Sequence, residues 1–215
     1  MNPYVTRREC DGVLLKRGAE AELRRTEWHG RPAVEKVRLP KAYRHERLDD
    51  EIRRVRIRTE ARLMAEARKL GVSVPILYDV DLARHRLVME YVDGPPVKDV
   101  LQKRLEDSSP VARAVGRLAG TLHAHGIVHG DLTTSNMLWR DGRIHLIDPS
   151  MGERTDSVES QGVDLRLLKE AWTSAHFDLQ GLFEEEVVAG YRETYARADA
   201  AIAKLAEIED RGRYT

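Results

Sequence analysis

The segment His129-Gly130-Asp131-Leu132-Thr133-Thr134-Ser135-Asn136, followed by the apolar run Ile144–Ile147 and then Asp148, decides the reading of this 215-residue chain. Phosphoryl transfer from ATP needs a carboxylate at the acceptor hydroxyl and oxygen ligands that hold magnesium on the phosphates. Asp131 has the residue type for the first task, orienting the acceptor or taking its proton. Asn136, five residues on in the same loop, and Asp148, at the end of a strand, have the types for the second. Each alone reads equally well as a turn former, because Asp and Asn in loops hydrogen-bond their own backbone. An aspartate, an asparagine five residues later and a second aspartate after an intervening hairpin are hard to assemble by chance, so the joint pattern selects the functional reading.

Upstream of this segment the chain reads first as strands: Val13–Lys16, Ala21–Trp28 and Pro32–Val37, with His29-Gly30 as a turn. From about His45 to Leu70 the period becomes helical, with Ile52, Val55, Thr59, Leu63, Ala67 and Leu70 three and four apart, and Gly71 as the C-terminal stop. Strands follow at Pro75–Val80 and Arg86–Tyr91, and the acidic, Gly/Pro-rich Val92-Asp93-Gly94-Pro95-Pro96 marks a boundary. A helix over Pro110–His125, capped by Ser108 and Ser109, ends at Gly126. Short strands and loops lead to Asp148. From about Ser160 the pattern is helical nearly to the end, carried by Val163, Leu167, Leu168 and Trp172, then by Val187, Val188, Tyr191, Tyr195, Ile202 and Leu205. The expected fold is α+β, a minimal two-lobed protein-kinase-like domain. Its small antiparallel N-lobe covers about residues 1–92, its mainly helical C-lobe about 95–209, and a basic tail 210–215.

Such a fold needs a lysine on the third strand to hold the phosphates and a glutamate on the next helix to hold the lysine. Lys36, in Ala33-Val34-Glu35-Lys36, is placed for the first; alternation puts Val34 on the same face, suited to packing on adenine. Glu60 is the candidate glutamate, with Glu51 and Glu66 as competitors. Gly18-Ala19-Glu20-Ala21 lies where backbone amides would cover the phosphates, although with a single glycine. Glu90, at the end of the fifth strand, completes the expected nucleotide set. ATP and Mg²⁺ are the cofactors this set implies. Taken singly, these residues read as exposed charges or an ordinary turn. His123, His125 and His129 suggest zinc, but His123 and His125, two apart on a helix, diverge, which leaves His129 to buttress the loop.

Lys plus Arg and Asp plus Glu are 36 each, so the net charge is zero and there is no overall bias toward polyanions. Arg53, Arg54, Arg56 and Arg58 read mostly as the solvated face of a helix. Cys10 is the only cysteine, which excludes an internal disulfide. The N-terminus MNPYVTRREC lacks the apolar core of a signal peptide, and no run approaches the roughly 20 apolar residues of a membrane span. The expectation is a cytoplasmic protein.

From about Asp11 to Arg213 the chain resembles the small KEOPS-complex kinases, called PRPK in animals. Gly18-Ala19-Glu20-Ala21 resembles that family's nucleotide loop. The run Glu35-Lys36-Val37-Arg38-Leu39-Pro40-Lys41-Ala42-Tyr43-Arg44-His45 is similar to its lysine strand and the segment after it. Leu48-Asp49 and Arg56-Ile57-Arg58-Thr59-Glu60-Ala61 resemble its helix, His129 to Asn136 its catalytic loop, and Val163-Asp164-Leu165 the helix beyond. The resemblance implies an atypical Ser/Thr kinase and ATPase acting as one subunit of an assembly that makes the threonylcarbamoyl modification of tRNA adenosine. Its implied partners are the threonylcarbamoyl-transferase subunit, other KEOPS subunits and, through the complex, tRNA. Gly130 stands where regulated kinases have arginine, and only Pro149 to Val163 separate Asp148 from Asp164, so a phosphorylated activation loop with a peptide platform is not expected. Pro149-Ser150 departs from the family's Phe-Gly and predicts a different loop there. Tyr214-Thr215 follow Arg211-Gly212-Arg213 in place of further basic residues. Two other readings stay open: a small-molecule phosphotransferase of the aminoglycoside or choline kinase kind, which uses the same loop, and a non-catalytic nucleotide-binding adaptor, which Pro149-Ser150 favours.

Overall fold

The computed structural model describes residues 12–104 and 106–212; Cys10 with the rest of the N-terminal segment, and Arg213, Tyr214 and Thr215 of the tail, lie outside them. The described residues form two compact units. One runs through Arg58 and includes Ile76–Tyr91; the other comprises Thr59–Pro75 and the residues from Val92 onward.

The first unit is a five-stranded antiparallel sheet of β1 (Val13–Arg17), β2 (Ala21–Trp28), β3 (Arg31–Arg38), β4 (Leu77–Asp81) and β5 (Arg86–Glu90), in the order β1-β2-β3-β5-β4. His29 and Gly30 both have positive φ (49° and 78°), the geometry of a two-residue hairpin turn whose twist matches its strands. That turn sets the unbroken β2–β3 register from Ala21↔Arg38 to Trp28↔Arg31. Flanked on both sides, β3 buries even its polar residues: Glu35 and Lys36 are 4% and 5% exposed. Arg86 bridges Glu35 at 3.1 Å and Asp79 at 2.8 Å, supplying the opposite charge that a buried carboxylate requires.

Helix α1 (Glu46–Lys69) divides between the units at Arg58. Its arginine run is not simply a solvated face. Arg53 bonds Asp49 at 2.7 Å and His85 at 3.0 Å, Arg54 pairs with Asp50 and Arg56 with Glu20; Arg58 is exposed. Val55, read as part of the apolar stripe, is 48% exposed, and the buried stripe is Ile57, Glu60, Leu63, Met64 and Ala67. The buried stripe includes the polar Glu60, so a count of apolar residues alone selects the Ile52–Leu70 run in its place. The helix ends in a Schellman pair, Val72 N–H to Ala67 C=O and Gly71 N–H to Arg68 C=O, both 3.1 Å.

The second unit is helical: α2 (Val97–Gln102), α3 (Ser108–Ala124), α4 (Val158–Ala175), α5 (Gln180–Leu182), α6 (Val188–Thr194) and α7 (Ala198–Gly212), with a π-helical turn at Phe183–Val187. Two-residue β6 (Ile127–Val128) pairs with β9 (Glu153–Arg154), and β7 (Met137–Arg140) with β8 (Arg143–Leu146). Its core includes Val115, Leu122, Leu132, Met137, Leu168, Trp172 and Tyr191. Three sequence expectations are corrected here. The six-residue α2 went unread because it is short and follows Pro95-Pro96, whose strand-like path is tied to β7 by Trp139 N–H to Pro95 C=O at 2.8 Å. Helix α3 begins at Ser108, capped by Asp107, whose carboxylate accepts from Ser109 N at 3.2 Å; neither Ser108 nor Ser109 is the cap. On α4 the buried face is Gln161, Asp164, Leu165, Leu168 and Trp172, while Val163 is 42% exposed, because buried polar Gln161 and Asp164 occupy helix positions that a purely apolar count passes over. Among the described residues, no helix is long and apolar enough to cross a membrane.

Candidate active site

The His129–Asn136 loop runs from β6 through a single 3₁₀ turn (Thr134–Asn136) into β7. Asn136 Nδ2 donates to the Asp131 carbonyl and to Asp131 Oδ2, both at 2.9 Å. An amide nitrogen placed between two acceptors fixes which way the side chain points, so Asn136 Oδ1 is the atom left to accept from or ligate something else. The Asn136 carbonyl accepts from Ile147 N at 3.0 Å, tying the loop to the residue before Asp148. His129, fully buried, adds a second tie: Nε2 meets the Ile147 carbonyl at 3.0 Å, and Nδ1 accepts from Asp131 N at 3.3 Å. A carbonyl can only accept, so Nε2 carries the proton and the ring is the neutral Nε2–H tautomer. Asp131, Asn136 and the segment entering Asp148 are thus closed into one hydrogen-bonded circuit.

Asp164 of α4 anchors this circuit. Its carboxylate, with no exposure, accepts from His129 N at 2.7 Å and Gly130 N at 2.9 Å, and meets His123 Nε2 at 3.2 Å. Three donors satisfy a buried charge that would otherwise be costly. His123 Nδ1 meets the Tyr191 hydroxyl at 2.7 Å. Burial, with Tyr195 and Asp164 beside it, pushes the Tyr191 phenol well above its ordinary range, so it stays protonated and serves as the donor. Below the loop, Thr134 Oγ1 meets His176 Nε2 at 3.1 Å, and burial followed by the charge of Lys98 lowers the His176 pKa to about 4. Asp164, His123, Tyr191 and His176 do this positioning work, yet apart from the Asp164 resemblance the sequence reading gave none of them a part in it. The signal it held was Asp164 one turn before the apolar Leu168 on α4.

Gly130 has φ 78°, and a Cβ there would lie 2.2 Å from the Met151 carbonyl oxygen. No side chain fits at this position, which is a steric reason for glycine where regulated kinases carry arginine. Asp148 is left-handed as well, φ 58°, a conformation aspartate tolerates better than most residues. Pro149 opens a turn closed by Gly152 N to Pro149 C=O at 3.2 Å; from there the chain pairs as β9 and enters α4 at Val158, so the segment after Asp148 is fully folded within ten residues. His125 Nδ1 bonds the Thr121 carbonyl. With His123 and His129 committed as described, the three histidines have protein partners instead of a common ligand.

The remaining expected site residues fall in both units. In the second, Glu60 is 1% exposed on the buried stripe of α1, whereas its competitors differ: Glu51 is exposed, and Glu66 pairs with Arg154 at 3.4 Å. In the first, Lys36 lies opposite Leu23 on β2 and Leu87 on β5, and Val34, two residues before it, opposite Arg25 and Met89. The Gly18–Ala21 loop is closed by Gly18 N to Ala21 C=O at 2.9 Å. The Glu90 carboxylate accepts from Ile76 N at 3.1 Å and its own N–H donates to the Ile76 carbonyl at 2.8 Å, so this side chain secures the entry to β4. As a metal site, the Asn136 amide oxygen and the Asp148 carboxylate are hard oxygen donors of the kind magnesium takes.

A family model described as the RIO domain matches residues 31–162, more than half of the chain. The chain belongs to the RIO-domain family. This RIO-domain chain is 41% identical over 210 residues to the KEOPS complex subunit Bud32 of Pyrococcus abyssi, covering 94% of this chain and 96% of that protein. It is 36% identical to the EKC/KEOPS complex subunit bud32 of Dictyostelium discoideum, covering 94% and 83%. It is also 40% identical to a probable bifunctional tRNA threonylcarbamoyladenosine biosynthesis protein of Methanosarcina mazei, where it accounts for only 38% of the relative's length. Among solved structures, the RIO domain here resembles WaaP in complex with acyl carrier protein (16% identity, TM-score 0.64, 94% and 88% covered). It also resembles the Rio2 kinase–ADP/Mg²⁺–phosphoaspartate complex of Chaetomium thermophilum (17%, TM-score 0.59, 91% and 70%). At such identities the likeness concerns the fold, which is protein-kinase-like.

Proposed function

We propose that this RIO domain is an ATP-dependent phosphotransferase that serves as the Bud32-type subunit of a KEOPS assembly and supports formation of threonylcarbamoyladenosine on tRNA. The observation that carries the reading is 41% identity over nearly the full length of a protein named as a KEOPS complex subunit, beside 40% identity to one named for tRNA threonylcarbamoyladenosine biosynthesis, with the Asp131–Asn136 circuit intact. Asp131 is assigned to orient the acceptor hydroxyl or take its proton, and Asn136 and Asp148 to hold the metal. Lys36 is assigned to the phosphates, with Glu60 as the motif's glutamate, Gly18–Ala21 as the covering loop, and Val34 and Glu90 beside the base. Magnesium, when bound with the nucleotide, neutralises charge that develops on the phosphates. The activities proposed are slow Ser/Thr autophosphorylation and ATP hydrolysis in a cytoplasmic complex with the threonylcarbamoyl-transferase subunit, tRNA being engaged through that complex.

The test is Mg²⁺-dependent ADP release by the purified chain, with and without the transferase partner and tRNA. The expected result is hydrolysis that the partner alters and that Asp131→Asn lowers by about 10²–10⁴-fold, the range for losing a general acid–base group. ATP-dependent phosphorylation of a sugar or amino alcohol, with no response to partner or tRNA, would favour a small-molecule phosphotransferase. Unchanged ADP release in Asp131→Asn would point to a nucleotide-binding adaptor.

A further inference from the structure

The loop assigned to the phosphates contains a carboxylate and only one glycine, a poor composition for a flexible anion cradle. Its local contacts resolve the difficulty. Four tethers, all within the sheet unit, hold Gly18–Ala21. Gly18 N donates to the Ala21 carbonyl at 2.9 Å, Leu39 N to the Glu20 carbonyl at 3.1 Å, and Lys41 Nζ to the Ala19 carbonyl. The fourth is ionic: Glu20 Oε2 accepts from Arg56 Nη1 at 2.6 Å while Glu20 Oε1 lies 3.6 Å from Arg44 Nη2. The Arg44 and Arg56 side chains are 18% and 21% exposed, so the carboxylate meets two cations that are mostly out of solvent. Arg44 also lies 3.6 Å from Asp49, which Arg53 contacts at 2.7 Å, so the staple extends into the first half of α1.

From this geometry we infer that Glu20 is a positioning residue, one whose ion pair with Arg56 fastens the nucleotide loop to α1 and sets the loop's backbone amides for the phosphates. Rigidity supplied by cross-links replaces the adaptability that several glycines would give. The inference rests on the kinase reading above, because it needs a nucleotide to occupy this loop.

The experiment is a double-mutant cycle of Glu20→Gln, Arg56→Gln and the pair, read by the KM for ATP and kcat in Mg²⁺-dependent hydrolysis and by adenosine affinity, with melting temperature as a check on folding. Each single change should raise KM by about three- to fivefold, the size of one partly screened ion pair, with kcat nearly unchanged. The double variant should be no worse than either single one, since both remove one interaction. The reversed pair, Glu20→Arg with Arg56→Glu, should recover part of the loss. Adenosine, which has no phosphate, should bind all variants alike, and the effect should shrink at high salt. Additive single effects, equal weakening of ATP and adenosine, or an unchanged KM would each overturn the staple while leaving the kinase reading in place. A wild-type chain that neither binds nor hydrolyses ATP would overturn both.

Discussion

Asp148 occupies a left-handed backbone position next to a proline, where most side chains would be strained. Asparagine tolerates the same conformation and has nearly the same shape but lacks the charge. Asp148→Asn is therefore expected to keep its melting temperature within a few degrees while Mg²⁺-dependent ATP hydrolysis falls on the order of a hundredfold or more; hydrolysis at the wild-type rate would remove Asp148 from the metal assignment. His176 makes a different, pH-dependent prediction. Its imidazole is neutral in the fold down to about pH 4, whereas the unfolded residue titrates near 6.5. Between these values the unfolded chain binds the additional proton, so stability rises with pH across that window and is lost as pH falls through it. Urea midpoints measured from pH 6.5 to 4 should decline, and His176→Gln, which keeps an amide partner for Thr134, should flatten the decline. At this scale the chemical residue types of the Asp131–Asn136–Asp148 set were legible from spacing alone. The buried Asp164 carboxylate was not, because its partners His129 and Gly130 lie 35 and 34 positions away.

At the scale of elements, the seam between α3 and α6 depends on close backbone approach. A Cβ on Gly116 would lie 1.9 Å from the Val187 carbonyl oxygen, and one on Gly190 2.2 Å from the Arg113 carbonyl oxygen. Neither neighbour is a side chain that can swing away, so the helices must separate to admit a methyl group. Gly116→Ala should cost about 1–3 kcal/mol in chemical denaturation, the range for overpacking. Gly181→Ala, where a Cβ meets nothing, should be neutral or stabilising by about 0.5–1 kcal/mol. Periodicity located the long elements because each follows from local residue order: β2 has the expected Ala21–Trp28 bounds, and α1 starts and stops within one residue of its reading. It missed α2, whose six residues are too few to show a period, and it chose the wrong stripes at Val55 and Val163, where a polar residue shares the buried face.

At the scale of the whole chain, equal numbers of acidic and basic residues, 36 of each, leave specific sites and not net charge to select partners. If the Asn136–Asp148 oxygens hold magnesium with the nucleotide, ligand binding adds directly to the stability of the fold. At a hundred times its Kd, Mg²⁺-ATP should stabilise the protein by about 2.7 kcal/mol, seen as a rise in melting temperature that EDTA reverses. A rise of the same size with ATP and excess EDTA would argue against metal-assisted binding.

What the order of residues determined by itself was local: strand alternation around Lys36, the helical period before Gly71, and a loop that carries Asp131 and Asn136 five residues apart. Those features depend on neighbours within a turn or a strand, and a linear reading contains them. Tertiary structure alone decided that Asp164 receives the loop amides, that His123 and Tyr191 stand behind it, that Thr134 meets His176 across 42 positions, and that Glu20 finds Arg56 across 36. Such pairings are set by how elements pack, a balance of burial and polar satisfaction summed over many residues, and no single stretch of sequence carries that information.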